Sequence, residues 1–506
     1  MATSQELTSL CARRGFLWPA ADLYGGMAGF YDYGHNGVLL RRKFEDLWID
    51  YFVTSREDHH LIDTTTILPE ASLKASGHLD HFTDLMVGCT KCGEHHRVSQ
   101  LLEDGAGKPQ DGLSIQEADQ RLKGAGVSCP DCGGNLGPVS AFNMMFGLQL
   151  GPAAKERAYL RPETAQGVFL NFKREFLALR RRLPLGLAAI GRAYRNEISP
   201  RQGPYRLREF LQAELQIFFD PERFEEQVPL SEISGETVRI SSMDREDPRD
   251  VAEIGVEELV AKGIAKFYVY YMKILQEFYF QVLNVPPNRF RFREVPAEER
   301  AHYNRLQFDV EVDQESLGGF REVAGLHHRG DHDLGSHQRH SKETLEQTLE
   351  GRKVLPHVLE LSFGIDRNVW MLLDLFYEPG ERNVLHLPPQ VSPILCGVFP
   401  LMAKDGLDGA TKTIHKGLRA QGITCLYDEG GSLGKRYARI DELGVPYAVT
   451  VDYEAQEGKG VTLRDRDSRT QVRILEKELA ETLRRLARGE VGILDVGTKV
   501  APKEEG

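Results

Sequence analysis

Residues 195–210 read RNEISPRQGPYRLREF, and this stretch decides the fold. The residues before it, 187–197 (LAAIGRAYRNE), and those that close it, 208–220 (REFLQAELQIFFD), are rich in β-branched and aromatic side chains and favour strands. Two prolines and a glycine lie between them and indicate a turn-rich loop. The sequence therefore predicts a long antiparallel hairpin.

An arginine stands at the end of each arm of this hairpin, Arg195 on one arm and Arg208 on the other, with Phe210 close behind. A guanidinium group binds phosphate oxygens in bidentate fashion, and an aromatic ring beside it suits a purine. The alternative is an ion-paired edge hairpin without a ligand. Three other segments favour the phosphate-binding interpretation.

The first segment is ELSFGIDR at 360–367, which predicts a strand that turns through Gly364 into a helix with Arg367 in its first turn. A cation at a helix N-terminus is unfavourable, so a bound phosphate or a stacked base would explain it. The second segment is FREVAG, where Glu322 could serve a divalent cation. The third is RPETAQ at 161–166, a polar run that opens an amphipathic helix.

The remaining pattern predicts two units. Residues 37–53 have helical spacing, residues 60–68 resemble a strand, and the later strands both pair as hairpins and precede helices. This is typical of an α/β (α+β) fold built on an antiparallel sheet. Residues 221–288 predict a helical insertion, and from residue 391 strand and helix alternate as in a small α/β domain.

Composition indicates a globular chain. Of its 506 residues, 41% are hydrophobic and 27% are charged, and the formal net charge is -12. Residues 393–506 hold 18 basic and 18 acidic side chains, so the deficit lies entirely in residues 1–392 and does not argue against a nucleic-acid partner. With no apolar leader and no membrane-spanning stretch in the sequence, we expect a cytoplasmic protein that does not enter a membrane.

Four of the seven cysteines form two CxxC pairs, Cys89 with Cys92 and Cys129 with Cys132. Sparse, odd-numbered cysteines are typical of a reducing compartment. Four thiolates suit a tetrahedral structural zinc site, although 36 residues separate the pairs; the alternative is a knuckle that holds no metal. We expect zinc in a structural role.

Several of these segments together resemble a known protein family. The hairpin resembles motif 2 of the class II aminoacyl-tRNA synthetases, SFGIDR resembles motif 3, and the helix and strand ending at Pro69 resemble motif 1. More specific strings are RRGFLWPAADLYGG, ASGHLDHFTDLMVG, RPETAQGVFLNF and SLGKRYARIDELGVPYAVT, and they resemble the dimeric family of glycyl-tRNA synthetases over nearly the whole chain.

The resemblance implies an enzyme that activates glycine with ATP to glycyl-adenylate, releases pyrophosphate and transfers glycine to the 3′ end of tRNA(Gly). It also implies Mg²⁺ with the ATP, and a homodimer. The segments become 1–85 with motif 1, 86–140 with the cysteine pairs, 141–220 with motif 2, the 221–288 insertion, 289–390 with motif 3, and an anticodon-binding domain at 391–506.

The resemblance also implies site residues. Arg195 and Arg367 would be the catalytic pair; Arg195 would contact the α-phosphate, Arg208 would hold the γ-phosphate, and Phe210 would stack on adenine against Arg367. Glu322 would help ligate Mg²⁺. The positions that match the family's ATP site are Arg195, Asn196, Glu197, Tyr205, Arg206, Leu207, Arg208, Glu209, Phe210, Glu322, Val323, Gly364, Ile365, Asp366 and Arg367.

The glycine pocket is implied in the same way. Glu163, Glu214 and Glu360 are candidate anchors for the ammonium group, and Ser362 would close the space where a β-carbon would sit. The positions that match this pocket are Arg97, Glu163, Phe210, Leu211, Gln212, Ala213, Glu214, Glu360, Leu361, Ser362, Phe363 and Gly364.

Some local features depart from the family pattern or leave rivals open. Leu361 stands where the family usually has proline, and LHHR at 326–329 replaces a more usual IADR. We interpret the histidine-rich residues 327–340 as the family's loop beside Glu322 rather than as a metal site. The rivals are a non-catalytic module of synthetase-like fold, and a class II synthetase for threonine, proline or histidine.

Overall fold

The computed structural model describes residues 3–106, 113–152, 156–180, 182–200, 203–241, 251–296, 300 and 304–500. The chain begins with a helix, a small hairpin and a long amphipathic helix that ends in one π-helical turn at Asp50–Thr54. These first elements are α1 (Ser4–Arg14), β1 (Leu17–Pro19), β2 (Tyr31–Tyr33), α2 (His35–Ile49), β3 (His59–Leu61), β4 (Ile67–Pro69), α3 (Glu70–Ala75) and α4 (His78–His81).

The cysteine pairs follow in a small module of their own, which leads back to the hairpin. Its elements and the next ones are β5 (Thr83–Cys89), β6 (His95–Arg97), α5 (Val98–Ala106), α6 (Ile115–Gly124), β7 (Leu136–Asn143), β8 (Gly147–Leu150), β9 (Glu156–Leu160), α7 (Ala165–Ala178), β10 (Leu185–Tyr194) and β11 (Glu209–Phe219). Strands β10 and β11 pair antiparallel from Leu185 opposite Phe218 to Tyr194 opposite Glu209, so the predicted long hairpin is confirmed.

The middle of the chain alternates helices and long strands. Its elements are α8 (Phe224–Gln227), β12 (Thr237–Ser241), β13 (Ala252–Gly255), α9 (Val256–Ala261), α10 (Lys266–Glu277), β14 (Phe290–Glu294), β15 (Leu306–Gln314), β16 (Gly319–Gly330), α11 (His332–Ser341), β17 (Gln347–Leu349), β18 (Arg352–Val354), β19 (His357–Gly364), α12 (Ile365–Phe376), β20 (Tyr377–Glu378) and β21 (Val384–Leu385).

The C-terminal unit is an α/β domain with its own cores. Its elements are β22 (Cys396–Pro400), α13 (Leu407–Ala420), β23 (Cys425–Tyr427), α14 (Leu433–Glu442), β24 (Tyr447–Val451), α15 (Tyr453–Gln456), β25 (Val461–Asp465), β26 (Gln471–Ile474), α16 (Leu479–Ala487) and β27 (Thr498–Lys499). They build a six-stranded sheet in the order β23-β22-β24-β25-β26-β27. The predicted alternation of strand and helix is confirmed.

A nine-stranded sheet organises the larger unit, in the order β13-β12-β14-β15-β16-β19-β11-β10-β3. Its strands pair antiparallel except where β3 meets β10 and β12 meets β14, which confirms the predicted α/β (α+β) fold class. One face packs on α2, α10 and α12 in the main hydrophobic core. The other face packs partly on α7 and leaves the middle strands open to a cleft.

Three sequence predictions are wrong in detail. Residues 60–68 form two strands in different sheets, because the chain leaves the main sheet after Leu61 and the Thr64 carbonyl between the strands accepts a hydrogen bond from Arg161 at 2.9 Å. The 221–288 segment is not purely helical, since β12 and β13 extend the edge of the main sheet. Residues 327–340 are not a loop but the end of β16 followed by α11.

Candidate active site

The open face of the sheet forms a cleft where most of the matched residues meet. Sixteen of the positions that the sequence resemblance selected line it: Glu163, Arg195, Glu197, Tyr205, Arg206, Leu207, Phe210, Leu211, Gln212, Glu214, Glu322, Glu360, Ser362, Gly364, Asp366 and Arg367. The strands β11, β19 and β16 supply its floor, and one wall comes from the described residues 195–200 and 203–208, here called the motif 2 loop.

Register places side chains of three neighbouring strands in rows across this floor. In one row Glu214 lies opposite Ser362, which lies opposite Gly325. A Cβ atom built on Gly325 would come within 2.5 Å of His327 Nε2, so only glycine fits there beneath the imidazole. The row therefore combines a carboxylate, a hydroxyl and a glycine that the imidazole of His327 covers.

A buried arginine, Arg329, holds the carboxylates behind this row. Its guanidinium lies 2.9 Å from Glu360, 3.4 Å from Glu163 and 2.8 Å from Asp333, and only 1% of its side chain is exposed. His327 Nδ1 also lies 2.7 Å from Glu360 Oε2. Burial alone would raise the pKa of Glu360, but Arg329 and His327 outweigh it and lower that pKa to about 2.

Glu214 has a different environment. Its carboxylate accepts hydrogen bonds from the hydroxyls of Thr164 at 2.6 Å and Ser362 at 2.9 Å. Among the described residues no Lys, Arg or His lies within 4.0 Å of it. Burial, together with the charges of Glu360 and Glu163, raises the pKa of Glu214 to about 7. This carboxylate is therefore the natural place for a cation from a ligand.

The other end of the cleft is arginine-rich and aromatic. The Arg195 guanidinium lies 5.2 Å from the ring centre of Phe210 and 5.3 Å from that of Phe82. Arg367 lies 4.6 Å from the ring of Tyr205, and its Nη1 atom lies 2.9 Å from Glu322 Oε1. These arrangements combine cation–π stacking with charges suited to phosphate oxygens.

Burial alone would raise the pKa of Glu322, but the charge of Arg367 and its hydrogen bond lower it. The carboxylate thus stays ionised, as a hard oxygen ligand for a divalent cation must be. The charge of Arg367 in the first helical turn is offset by Glu322, which explains how a cation is tolerated there without a phosphate.

The structure places Arg206, and not Arg208, in the cleft. Arg206 donates from Nε to Glu197 at 2.7 Å and lines the cavity. Arg208 donates to the backbone carbonyl of Glu197 at 2.8 Å and to that of Ala28 at 3.2 Å, and it lies outside the cavity lining. Arg206 therefore faces the cleft, and Arg208, to which the resemblance assigns the γ-phosphate, faces away from it.

Other selected positions also lie away from the cleft. The side chains of Ala213, Val323, Leu361 and Phe363 lie in the main core on the opposite face of the sheet, because side chains alternate along a strand, and Ile365 at the start of α12 lies in the same core. Two other positions are turned to other partners: Glu209 accepts from Arg192 at 2.6 Å, and Arg97 lies 2.7 Å from Asp84. The backbone of Asn196 donates to the carbonyl of Met144.

Sequence reasoning missed five residues that line the cleft: Pro204, Asn304, Gln307, His327 and Arg329. Interpreting residues 327–340 as a loop concealed the signal. If the strand had been extended to Gly330, its period of two would have placed Gly325, His327 and Arg329 on one face.

The four cysteines converge as the sequence predicts. Cys89 and Cys132 have their Sγ atoms 3.5 Å apart, those of Cys92 and Cys129 are 3.7 Å apart, and all four Sγ atoms lie within 4.8 Å of one another. Zinc–sulfur bonds of about 2.3 Å in a tetrahedron require sulfur atoms about 3.8 Å apart. The four thiols therefore fit zinc.

Membrane insertion by a helix finds no support in the described part of the chain, because none of its helices is both long and apolar enough to cross a bilayer.

The antiparallel sheet, the hairpin with its arginines and the strand–helix arginine define a class II aminoacyl-tRNA synthetase. In agreement, residues 150–241 match the family model for the tRNA synthetase class II core domain (G, H, P, S and T). Residues 396–486 match the model for an anticodon binding domain, which coincides with the start of β22 and the end of α16.

Relatives identify the family more closely. A glycine–tRNA ligase from Aeropyrum pernix is 37% identical, in an alignment that covers 98% of this chain and 99% of the relative. Those from Thermococcus sibiricus and Methanothermobacter thermautotrophicus are 36% and 37% identical, each with 96% of this chain and 99% of the relative covered. The chain therefore belongs to the glycine–tRNA ligase family, which confirms the resemblance found in the sequence.

Proposed function

We propose that this cleft activates glycine with ATP to glycyl-adenylate, with release of pyrophosphate, and passes glycine to the 3′ end of tRNA(Gly). The observation that carries the proposal is Glu214, a buried carboxylate that forms no ion pair with the described residues and lies in one row with Ser362 and Gly325. An ammonium group bound there would supply the missing charge.

Glycine selection follows from size. The space proposed for glycine is bounded by Ser362, by Glu214 and by His327, whose imidazole lies over Gly325. A β-carbon on the ligand would require space that these side chains occupy. Steric exclusion of larger amino acids discriminates strongly, so a separate editing site is not required.

Adenylate formation needs positioning and charge stabilisation rather than a catalytic base, because the attacking carboxylate is already ionised. We assign Arg195 to the α-phosphate, Arg206 to the terminal phosphates, and Arg367 with Phe210 to the two sides of adenine. Glu322 would hold Mg²⁺, which neutralises phosphate charge when bound. Three cleft arginines also disfavour the rival interpretation, a non-catalytic module of the same fold.

The step as a whole balances without outside reagents. A glycine carboxylate oxygen attacks the α-phosphorus, the bond from that phosphorus to the bridging oxygen breaks, and pyrophosphate leaves with the electron pair. In the second step a terminal ribose hydroxyl of tRNA attacks the carbonyl carbon, and AMP leaves.

Glycine binding should depend on pH through Glu214. Below its pKa of about 7 the carboxyl is protonated and loses its attraction for the ammonium group, so kcat/KM for glycine should rise with pH through about 7 and then level off. Pyrophosphate exchange measured from pH 6 to pH 8.5 gives this profile. A profile that stays flat in the wild-type chain, or that keeps its inflection in Glu214→Gln, would contradict the assignment.

We also propose that the four cysteines hold one structural zinc ion, since four thiolates leave no open coordination position. The purified protein should contain about one zinc per chain, and Cys129→Ser should lose the metal and lower the unfolding temperature. Cys11→Ser is the matched control, because Cys11 is buried in the main core and should leave the zinc content unchanged. Zinc-free wild-type protein with unaltered stability would refute this site.

We also propose a cytoplasmic location, because free thiols at all seven cysteines are typical of a reducing compartment.

Homodimerisation is a further part of the proposal. Strand β3 lies at the edge of the nine-stranded sheet and exposes Leu61, and large apolar side chains are also exposed on α2, β4 and α7, namely Leu39, Ile67, Leu170 and Leu177. An open edge with apolar neighbours suits a second copy. Sedimentation equilibrium would then give twice the chain mass of 57.0 kDa.

We retain the six segment boundaries of the sequence analysis as proposed domain limits.

The direct test of the second step is charging. The purified chain, ATP–Mg²⁺ and labelled glycine should attach label to a tRNA(Gly) transcript. Transcript whose terminal ribose has been oxidised with periodate should accept none, because both hydroxyls are lost. Failure to charge the intact transcript, or equal labelling of the oxidised one, would refute the transfer to the 3′ end.

A further inference from the structure

The cysteine module lies directly against the motif 2 loop. The module comprises residues 83–143, and its three strands form a sheet in the order β6-β5-β7. Strand β5 ends at Cys89, and β6 begins three residues after Cys92, so the first cysteine pair connects the two strands. Strand β5 starts at Thr83, and this start is the end of the strand nearer to the cleft.

Four contacts join the module and the residues next to it to the motif 2 loop. The ring of Phe82 packs on Arg195, and the backbone of Asn196 donates to the Met144 carbonyl at 2.8 Å. The hydroxyl of Ser199 donates to the carbonyl of His95. The fourth contact is an ion pair between Arg206 and Asp84, whose nearest nitrogen and oxygen atoms are 3.8 Å apart.

Asp84 is the charged member of this interface. Only 12% of its side chain is exposed, and Arg97 from the neighbouring strand β6 lies 2.7 Å from its Oδ2 atom. The Arg206 guanidinium thus lies between two carboxylates, Glu197 at 2.7 Å and Asp84 at 3.8 Å. Two carboxylates from different elements restrict where a long, flexible side chain can place its charge.

We infer that Asp84, oriented by Arg97, is a positioning residue that holds Arg206 toward the phosphate end of the cleft. The cysteine module then serves ATP binding through the sheet that carries Asp84, without contacting glycine. This inference rests on the proposed function in one respect, the assignment of Arg206 to the phosphates.

The test is a comparison of substrates. Asp84→Asn keeps the side-chain volume and removes the charge, so KM for ATP should rise about tenfold or more, as expected when a positioning contact is lost, while KM for glycine changes less than about twofold. The unfolding temperature and zinc content should match those of the wild type. Asp119→Asn is the matched control, because Asp119 lies on α6 of the same module and pairs with Lys123 away from the cleft.

A double-mutant cycle shows whether Asp84 acts through Arg206. If it does, Asp84→Asn combined with Arg206→Ala should bind ATP no more weakly than Arg206→Ala alone. Additive losses would overturn the inference, as would a wild-type KM for ATP in Asp84→Asn or a KM for glycine that rises equally.

A second variant keeps the inference testable if Asp84→Asn does not fold. Arg97→Gln leaves Asp84 in place without its orienting partner and should weaken ATP binding in the same direction. A selective rise in KM for glycine in this variant would overturn the inference and support the alternative that Arg97 belongs to the glycine pocket. Equilibrium dialysis of ATP alone separates the two proposals, since it reports the Asp84 effect even if the wild-type chain does not activate glycine.

Discussion

Replacing Arg367 by alanine should lower glycine-dependent pyrophosphate exchange by about 100-fold or more, because the side chain assigned to one side of adenine no longer positions ATP for the reaction. The change also removes the cation that faces Glu322 at 2.9 Å, so an uncompensated carboxylate would repel the incoming phosphates. Initial rates of exchange at saturating ATP and glycine give the loss.

The fold should survive this change. Arg367 is at the cleft end of α12, and the core side chains of that helix, such as Val369 and Leu373, remain in place. Circular dichroism and the unfolding temperature check this point. Arg192→Ala is the matched control, since Arg192 lies on β10 and pairs with the exposed Glu209. Wild-type exchange in Arg367→Ala would refute its role.

Replacing Glu214 by glutamine should raise KM for glycine by about 100-fold or more, since the ammonium group loses a buried carboxylate that forms no ion pair with the described residues. KM for ATP should change far less, because the arginine-rich end of the cleft is untouched. Steady-state exchange with each substrate varied in turn separates the two effects. A wild-type KM for glycine would contradict the anchor.

The same variant should be more stable than the wild type at pH 8. Burial and the charges of Glu360 and Glu163 raise the pKa of Glu214 from 4.5 to about 7, so the folded state holds this proton more tightly than the unfolded chain. The protonated Glu214 carboxyl therefore contributes to the free energy of unfolding at low pH, and this contribution is lost as the pH rises through about 7. Glutamine stays neutral, so the unfolding temperature of the variant should exceed the wild-type value at pH 8 and approach it below about pH 4.5. Glu209→Gln, on the exposed end of the same strand, is the control and should change neither property.

The sequence predicts much of the catalytic sheet because local signals agree there. Gly364 marks the boundary between β19 and α12, and the apolar pattern after it is helical. The hairpin of β10 and β11 combines strand-forming arms with a turn-rich centre. In both places, local propensity and the tertiary arrangement favour the same structure.

The parts that sequence reasoning missed depend on long-range contacts. Arg206 and Arg208 are two residues apart on the same arm, and only the carbonyls of Ala28 and Glu197 decide that Arg208 turns away from the cleft. Strand β12 has a partner because β14 lies beside it, and β13 pairs with β12 in turn. The importance of Arg329 appears only once Glu163, Asp333 and Glu360 are seen to converge on it.

We expect this cleft to activate glycine and to reject amino acids that carry a side chain. Pyrophosphate exchange with glycine, alanine and serine, compared side by side on the purified wild-type chain, tests it most directly. We expect exchange with glycine, and a kcat/KM that is at least about 100-fold lower with alanine or serine. No exchange with glycine, or faster exchange with alanine or serine, would contradict it.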